Sequence, residues 1–213
     1  MKKQLNVEQL ENIPSGNKIK AVSLLMDKVK RNELGYAPWK EYAYVPAVEF
    51  AIAYCADTIF LKYYVNEKSI RAINSTINSA VWEDSCVELF ISFGEEASYY
   101  NFEFNCIGTS LVGYGTGKHD RKLLPAHLIS KIKYESAIDN HPVSDIHWEL
   151  TVSIPKNLFC YNEISTFEGR MCKANFYKCG DNLPIPHFIA WANIQSEEPN
   201  FHLPDFFGAL NFI

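Results

Sequence analysis

Short runs of alternating or continuous apolar residues recur along the chain and constrain its fold more than any other feature. Turn-forming residues such as glycine, proline, asparagine and aspartate separate these runs. The runs are Val48–Tyr54, Thr58–Val65, Val87–Phe93, Tyr99–Cys106, Ser110–Tyr114, Ile129–Tyr134, Trp148–Ile154, Arg170–Tyr177, Phe188–Ile194 and Phe207–Phe212. Many short strands at this spacing are typical of two packed antiparallel sheets. The sequence therefore predicts an all-β fold, a two-sheet antiparallel β-sandwich of the jelly-roll type.

The N-terminal part of the chain has a less regular pattern. Ile19, Val22, Met26 and Val29 lie at helical spacing, although the segment Ile19–Leu34 could equally form a first strand followed by a loop. We predict that residues 1–35 are an extension that packs on or leads into the sandwich. Residues 36–213 are predicted to form the β-sandwich itself, since a chain of this length can bury a sizeable core.

Composition and charge exclude several classes of function. The formal net charge is -5, and the sequence contains no cluster of lysine and arginine, so we do not expect a nucleic-acid partner. Glu8 and Glu11 interrupt the only apolar stretch near the N-terminus, and no run of apolar residues is long enough to span a membrane. We therefore predict no signal peptide, no membrane partner and a cytoplasmic location.

Six cysteines are present without CxxC spacing, and most lie in or beside the predicted strands. Buried reduced thiols are favoured over disulfides, because a free cysteine packs as a small apolar residue. The cysteines are Cys55, Cys86, Cys106, Cys160, Cys172 and Cys179.

The predicted strands at residues 87–93 and 99–106 indicate a ligand-binding surface. One face of each is apolar and is predicted to be core, with Val87, Leu89, Ile91 and Phe93 on the first strand. The opposite face combines carboxylates, amides and aromatic rings, which suits a polar, ring-shaped ligand. Its residues are Cys86, Glu88, Phe90, Ser92, Tyr99, Asn101, Glu103 and Asn105.

Glu88 and Glu103 are two carboxylates on adjacent predicted strands, which is the formal requirement for glycoside hydrolysis. The alternative, which we favour, is that they are hydrogen-bonding or solvated residues on the outer face. The tryptophans differ in their surroundings. Trp148 begins a clean alternation and is predicted to be core, whereas Trp82 and Trp191 lie near strand ends beside polar residues and could be buried or exposed.

No metal or cofactor is predicted. The histidines lack the spacing of a metal site, and His141, for example, flanks a predicted turn. Asp139, Asp145 and Asp181 could contribute to a calcium site in a loop, but no DxDxDG pattern supports such a site. The glycine-rich stretch at residues 113–118 lacks the spacing of a phosphate-binding loop and is predicted to be a loop at a sheet edge.

Four segments together resemble the family-9-like carbohydrate-binding modules, in the version common in stand-alone bacterial proteins. The resemblance covers roughly residues 36–213. Its segments are Trp82-Glu-Asp-Ser-Cys-Val-Glu88, Tyr99-Tyr100-Asn-Phe-Glu-Phe-Asn105, Asn175-Phe-Tyr-Lys-Cys-Gly180 and Pro199-Asn-Phe-His-Leu-Pro-Asp-Phe-Phe-Gly208. Such modules are β-sandwiches that bind the end of a glycan chain. They hold a sugar ring between two tryptophans, while polar side chains bind the hydroxyl groups.

By position in the motif, the resemblance implies that Trp82 is one wall of the site and that Glu88 binds a hydroxyl group. Trp191 is the candidate for the second wall. The chain departs from the family at Asn101, where well-studied members have an arginine, and at Phe188, where they have an asparagine. Arg121 could replace the missing arginine, and Glu103 shares the predicted outer face.

The resemblance therefore implies a non-catalytic module that binds the end of an oligosaccharide or polysaccharide, as an accessory to carbohydrate catabolism. Two alternatives stay open: a glycoside hydrolase that uses Glu88 and Glu103, and a sandwich whose outer face contacts another protein.

Overall fold

The computed structural model describes residues 2–13, 18–94, 97–139 and 145–213. The described ranges contain thirteen strands and two α-helices. The helices are α1 (Ile19–Met26) and α2 (Ala126–Ile129). The strands are β1 (Gln4–Gln9), β2 (Asn32–Glu33), β3 (Ala47–Cys55), β4 (Thr58–Glu67), β5 (Cys86–Ser92), β6 (Tyr99–Asn105), β7 (Ser110–Gly115), β8 (Lys122–Leu123), β9 (Lys133–Asp139), β10 (Ile146–Pro155), β11 (Met171–Cys179), β12 (Phe188–Ala190) and β13 (Gly208–Phe212).

Two sheets form the sandwich, and β1 joins them. The first sheet has the order β8-β7-β6-β5-β11-β13, and β12 pairs with β11. The second sheet has the order β3-β4-β10-β9, and β2 pairs with β3. Residues 4–7 of β1 pair in parallel with β13, whereas Glu8 and Gln9 pair in parallel with β3. All other strand pairs are antiparallel. The predicted all-β sandwich is confirmed.

The main core lies between the two sheets, and the alternation along β5 and β6 determines which side chains enter it. Val87, Leu89, Phe102 and Phe104 are fully buried there. The predicted core face of these two strands is therefore confirmed. Trp148 on β10 is also fully buried, as predicted, and its indole N–H donates a hydrogen bond to Glu67 Oε1 at 2.7 Å.

Helix α1 covers the opposite face of the second sheet. Val22 and Met26 are buried and pack in a cluster with Phe60 and Tyr64 of β4. Of the two alternatives for residues 19–34, a helix or a strand followed by a loop, the helix is the one observed. It ends at Met26, and the short strand β2 follows. The predicted strand Ile129–Tyr134 is wrong, because α2 ends at Ile129 and β9 begins at Lys133.

Other parts of the chain cover the outer face of the first sheet, so the residues on this face are not solvated, as one sequence-based alternative had them. Trp39 and Phe201, from segments outside the strands, pack in a cluster with Phe90, Tyr99 and Tyr177 of the sheet. The ring of Tyr177 stacks on Phe201 with 4.1 Å between centroids. The polar residues on this face therefore lie under a cover of aromatic side chains.

Four cysteines, Cys86, Cys106, Cys172 and Cys179, are buried as predicted, but Cys160 is exposed. Within the described ranges, neither helix is long and apolar enough to cross a membrane.

Candidate functional site

A pocket opens on the covered outer face of the first sheet. It is lined by Trp82, Glu88, Glu103, Lys118, Arg121, Cys179, Asp181, Phe188, Pro199, Asn200, Phe201 and His202. Aromatic rings and charged groups therefore meet in one cavity.

The floor of the pocket comes from neighbouring strands. Glu88 on β5 lies directly opposite Glu103 on β6, and both are 3% exposed. On the other side of β5, Cys86 lies directly opposite Cys179 of β11. Because side chains alternate along a strand, Cys86 and Glu88 point to the same face. Two carboxylates and two thiols are thus brought together by strand register alone.

Glu103 is held by a guanidinium and an amide. Its Oε1 accepts hydrogen bonds from Arg121 Nη1 at 2.7 Å and from Asn101 Nδ2 at 2.8 Å. Its Oε2 is buried and has no hydrogen-bond partner among the described residues. Burial raises the pKa of Glu103, and the charge of Arg121 opposes that shift. One buried acceptor is therefore left for a donor that the described residues do not supply.

Glu88 lacks such a counterion. Within the described part of the chain, it takes part in no ion pair, and its Oε1 accepts from the thiols of Cys179 at 3.2 Å and Cys86 at 3.8 Å. Burial raises the pKa of Glu88 well above its usual range, and the nearby charge of Glu103 raises it further. The two carboxyl groups are therefore neighbours in different electrostatic environments.

Two glycines of β7 allow Arg121 and Asn101 to reach Glu103. A Cβ atom on Gly115 would lie 2.6 Å from Arg121 Cα, and one on Gly113 would lie 2.6 Å from Asn101 Oδ1. The close approach of the backbone of Arg121 requires glycine at position 115, whereas Gly113 leaves room for the side-chain amide of Asn101. Gly113 and Gly115 belong to a strand, so the prediction of a loop over residues 113–118 holds only after Gly115.

Trp82 forms part of the wall. It lies in a short 3-10 turn, Val81–Glu83, and is partly exposed. Its carbonyl oxygen accepts a hydrogen bond from the backbone N–H of Asp181 at 3.2 Å, which ties the turn to the chain after β11. The guanidinium of Arg121 lies 5.9 Å from the centre of the indole ring. Burial raises the pKa of Asp181 to about 6.

His202 joins the pocket wall to the sheet. Its Nδ1 lies 2.8 Å from the hydroxyl of Tyr99, and its Nε2 lies 3.4 Å from Arg121 Nη1. Since a guanidinium can only donate, Nε2 accepts and Nδ1 donates to Tyr99. Burial and the charge of Arg121 lower the pKa of His202 to about 3, so the imidazole is neutral at pH 7.

The structure brings together four of the six predicted site residues: Trp82, Glu88, Glu103 and Arg121 all line the pocket. Asn101 lies outside the lining and supports Glu103 through its amide.

Trp191, the candidate for the second wall of the site, does not line this pocket. It is 3% exposed and lies in the core between the sheets, where its ring makes an edge contact with Phe176 at 5.6 Å. The residue directly follows β12 and its backbone N–H donates to the carbonyl of Phe176. That bond holds it on the sheet, and its side chain enters the main core.

Phe188, Phe201, His202 and Asp181 are pocket residues that sequence reasoning did not select as ligand-binding. The family resemblance could have identified three of them. Phe201 and His202 lie in its fourth segment, and Phe188 was noted as a departure from the family pattern. Of the aspartates considered for calcium, Asp181 lines the pocket, whereas Asp139 and Asp145 do not. His141 lies outside the described residues.

A pocket that combines aromatic rings with buried carboxylates suits a polar, ring-shaped ligand. The sequence model of carbohydrate-binding family 9 matches residues 19–212. The chain therefore belongs to carbohydrate-binding family 9.

Solved structures agree with this assignment. A protein from Bacteroides uniformis ATCC 8492, named provisionally as a carbohydrate-binding protein, is 38% identical, with full coverage of both chains and a TM-score of 0.91. A family 9 module from Caldicellulosiruptor kristjanssonii, solved with glucose, is 11% identical, with 99% of this chain and 96% of that chain covered and a TM-score of 0.61. A family 9 module from the same organism, solved with cellotriose, is 12% identical, with 99% of this chain and 93% of that chain covered and a TM-score of 0.58. These two likenesses show the fold. No curated protein matches the sequence.

Proposed function

We propose that the pocket binds the terminal sugar of a glycan chain, with the ring of Trp82 against one face of the sugar. A pyranose offers apolar C–H groups on its face and hydroxyl groups at its edge. An indole suits the first, and carboxylate and imidazole groups suit the second. The observation that carries the proposal is the meeting of Trp82, Glu88 and Glu103 in one cavity.

Polar groups in the pocket support this role. Glu103 Oε2 is a buried acceptor without a partner among the described residues, and a sugar hydroxyl is a suitable donor. Arg121 and Lys118 add donors at the same pocket, so hydroxyl oxygens can also be bound as acceptors. Phe188 and Phe201 are the remaining aromatic residues of the lining, and they replace Trp191 as candidates for a second apolar wall.

The family assignment suggests which ligands to test first. Family 9 modules from Caldicellulosiruptor kristjanssonii were solved with glucose and with cellotriose, so glucose and short cello-oligosaccharides are natural probes, followed by a wider glycan array. Binding can be measured by isothermal titration calorimetry. For a ligand that binds, Trp82→Ala should reduce affinity at least about tenfold, equivalent to about 1.4 kcal/mol. Tyr134→Ala, which removes an exposed ring outside this pocket, is the matched control.

A catalytic role is the second candidate, because the structure gives Glu88 and Glu103 different environments. Glu103 is paired with Arg121 and Glu88 is not, and a glycosidase needs carboxyl groups whose pKa values are separated. We favour binding, since both carboxylates are almost fully buried beneath the pocket. Mass spectrometry of a bound oligosaccharide after long incubation decides between them. An intact ligand supports binding, and cleavage that Glu88→Gln abolishes contradicts it.

The accessory role in carbohydrate catabolism stays a prediction from the family resemblance.

A further inference from the structure

The floor of the pocket contains a second constellation, made of Cys86, Glu88 and Cys179. One donor atom from each residue lies within 4.8 Å of the other two. The three side chains are 0%, 3% and 2% exposed. Strand register fixes them, because Cys86 and Cys179 are opposite on β5 and β11, and Glu88 is two residues further on the same face of β5.

We propose that Cys86, Cys179 and Glu88 form a binding site for a thiophilic divalent cation of the Zn²⁺ class. Zinc takes thiolate sulfur at about 2.3 Å and carboxylate oxygen at about 2.1 Å, usually in a tetrahedron. A sulfur and an oxygen bound in that way are about 3.6 Å apart. The observed distances from Glu88 Oε1 are 3.2 Å to Cys179 Sγ and 3.8 Å to Cys86 Sγ, which lie on either side of that value.

The charges around the three donors favour a cation. Glu88 has no ionic partner among the residues described, and Arg121 is engaged by Glu103. Asp181 lies close by and adds a further carboxyl group, which also borders the pocket. A bound dication would compensate these acidic groups, to which the charges of Arg121, Lys118 and Lys178 already contribute in part.

The donor set also indicates which ion is preferred. Two sulfur donors and one oxygen suit zinc or cadmium, whereas calcium and magnesium prefer sites made of oxygen alone. Glu88 and Cys179 border the pocket, so a water molecule or a ligand oxygen can supply a fourth donor. Binding would displace one proton from each thiol and also the proton of Glu88 wherever that carboxyl group is protonated, and these protons pass to the buffer.

The inference does not depend on sugar binding, and its test uses no sugar. The full chain is kept reduced with a phosphine and titrated with Cd²⁺, whose bonds to thiolates produce ultraviolet charge-transfer absorption. We expect one ion per chain, displacement of Cd²⁺ by Zn²⁺, and no displacement by excess Ca²⁺. Cys86→Ser and Cys179→Ser should each reduce the affinity at least about tenfold. Cys160→Ser, which changes the exposed thiol, should leave it unchanged.

A second measurement uses the unmodified protein, so its result does not depend on whether the variants fold. Zn²⁺ should slow alkylation of Cys86 and Cys179 in the unmodified protein, relative to Cys106, another buried cysteine outside the cluster. Protection is read by mass spectrometry of the digested protein under mild denaturant. Absence of Cd²⁺ absorption, binding that survives in a folded Cys86→Ser Cys179→Ser protein, or protection confined to Cys160 would each overturn the proposal.

Discussion

Glu88 and Glu103 lie directly opposite each other on adjacent strands, and only Glu103 of the two is paired with a guanidinium in the described structure. Both pKa values are raised by burial, and the pKa of Glu88 is raised further by the charge of Glu103. The folded protein therefore binds the Glu88 proton more tightly than the unfolded chain does.

Glu88→Gln should change the pH dependence of stability. Because its folded pKa is raised, the protonated form of Glu88 stabilises the fold fully below its unfolded pKa of about 4.3, and that stabilisation is lost as the pH rises through the folded pKa. Relative to Glu88→Gln, the free energy of unfolding of the unmodified protein should fall by up to about 1.4 kcal/mol per pH unit in this window. Urea unfolding with a chelator present measures it.

Glu163→Gln is the control for this experiment, since Glu163 is exposed. The difference between this control and the unmodified protein should stay flat between pH 4 and pH 8. Parallel stability curves for Glu88→Gln and the unmodified protein would show that Glu88 ionises normally.

The pair Arg121–Glu103 should show strong energetic coupling. The two side chains are 14% and 3% exposed and are joined at 2.7 Å. Arg121→Met leaves a buried carboxylate without its cation, so we expect a loss of about 1–3 kcal/mol in the free energy of unfolding. Adding Glu103→Gln should recover part of that loss, with a coupling energy of about 0.5–3 kcal/mol in a double-mutant cycle.

The exposed pair Arg31–Glu49, at 3.3 Å, is the matched control for this cycle. Its side chains are 41% and 43% exposed, so solvent screens the attraction and the coupling should be about 0–1 kcal/mol. Equal coupling in the two cycles would contradict a special role for the buried pair.

The alternation along β5 and β6 was sufficient to assign Glu88 and Glu103 to one face and Val87 to the other, because the two-residue period is a property of the extended backbone. It did not indicate that this face is covered. The cover is formed by Trp39 and Phe201, which are distant in sequence, and no local pattern reports such a contact.

The direction of a side chain just beyond a strand was also not predictable. Trp82 and Trp191 both lie near strand ends beside polar residues, yet only Trp82 lines the pocket. β1 was not predicted as a strand, because Gln4–Gln9 alternates weakly and obtains its hydrogen bonds from two distant strands. Arg121 was suggested only as a possible substitute for the arginine missing at position 101. It lines the pocket, and its contact with Glu103 depends on tertiary packing that no local pattern indicates.

Gly115→Ala should displace Arg121. The new methyl group would lie 2.6 Å from Arg121 Cα, and a backbone atom cannot move aside as a flexible side chain can. We expect a destabilisation of about 1–3 kcal/mol and weaker binding of any sugar that uses Arg121. Gly35→Ala is the control, because a Cβ atom there has no neighbour within 4 Å among the described atoms. Similar stability of the two variants would show that the chain at residue 121 can shift freely.

The positions of Trp191 and Trp82 predict opposite effects of mutation. Trp191 is buried between the sheets against Phe50 and Phe176, and its ring occupies the space above Gly208. Trp191→Ala should therefore lower the free energy of unfolding by about 3–5 kcal/mol through cavity formation. Trp82→Ala, at a partly exposed pocket wall, should lower the free energy of unfolding less than Trp191→Ala does and should weaken sugar binding more.

Trp191→Phe, which keeps an apolar ring, is the control: it should retain sugar affinity while losing some stability. Denaturant unfolding and calorimetric titration of the same samples separate the two effects. A Trp191→Phe protein that folds stably but loses sugar affinity would show that Trp191 contributes to the site after all.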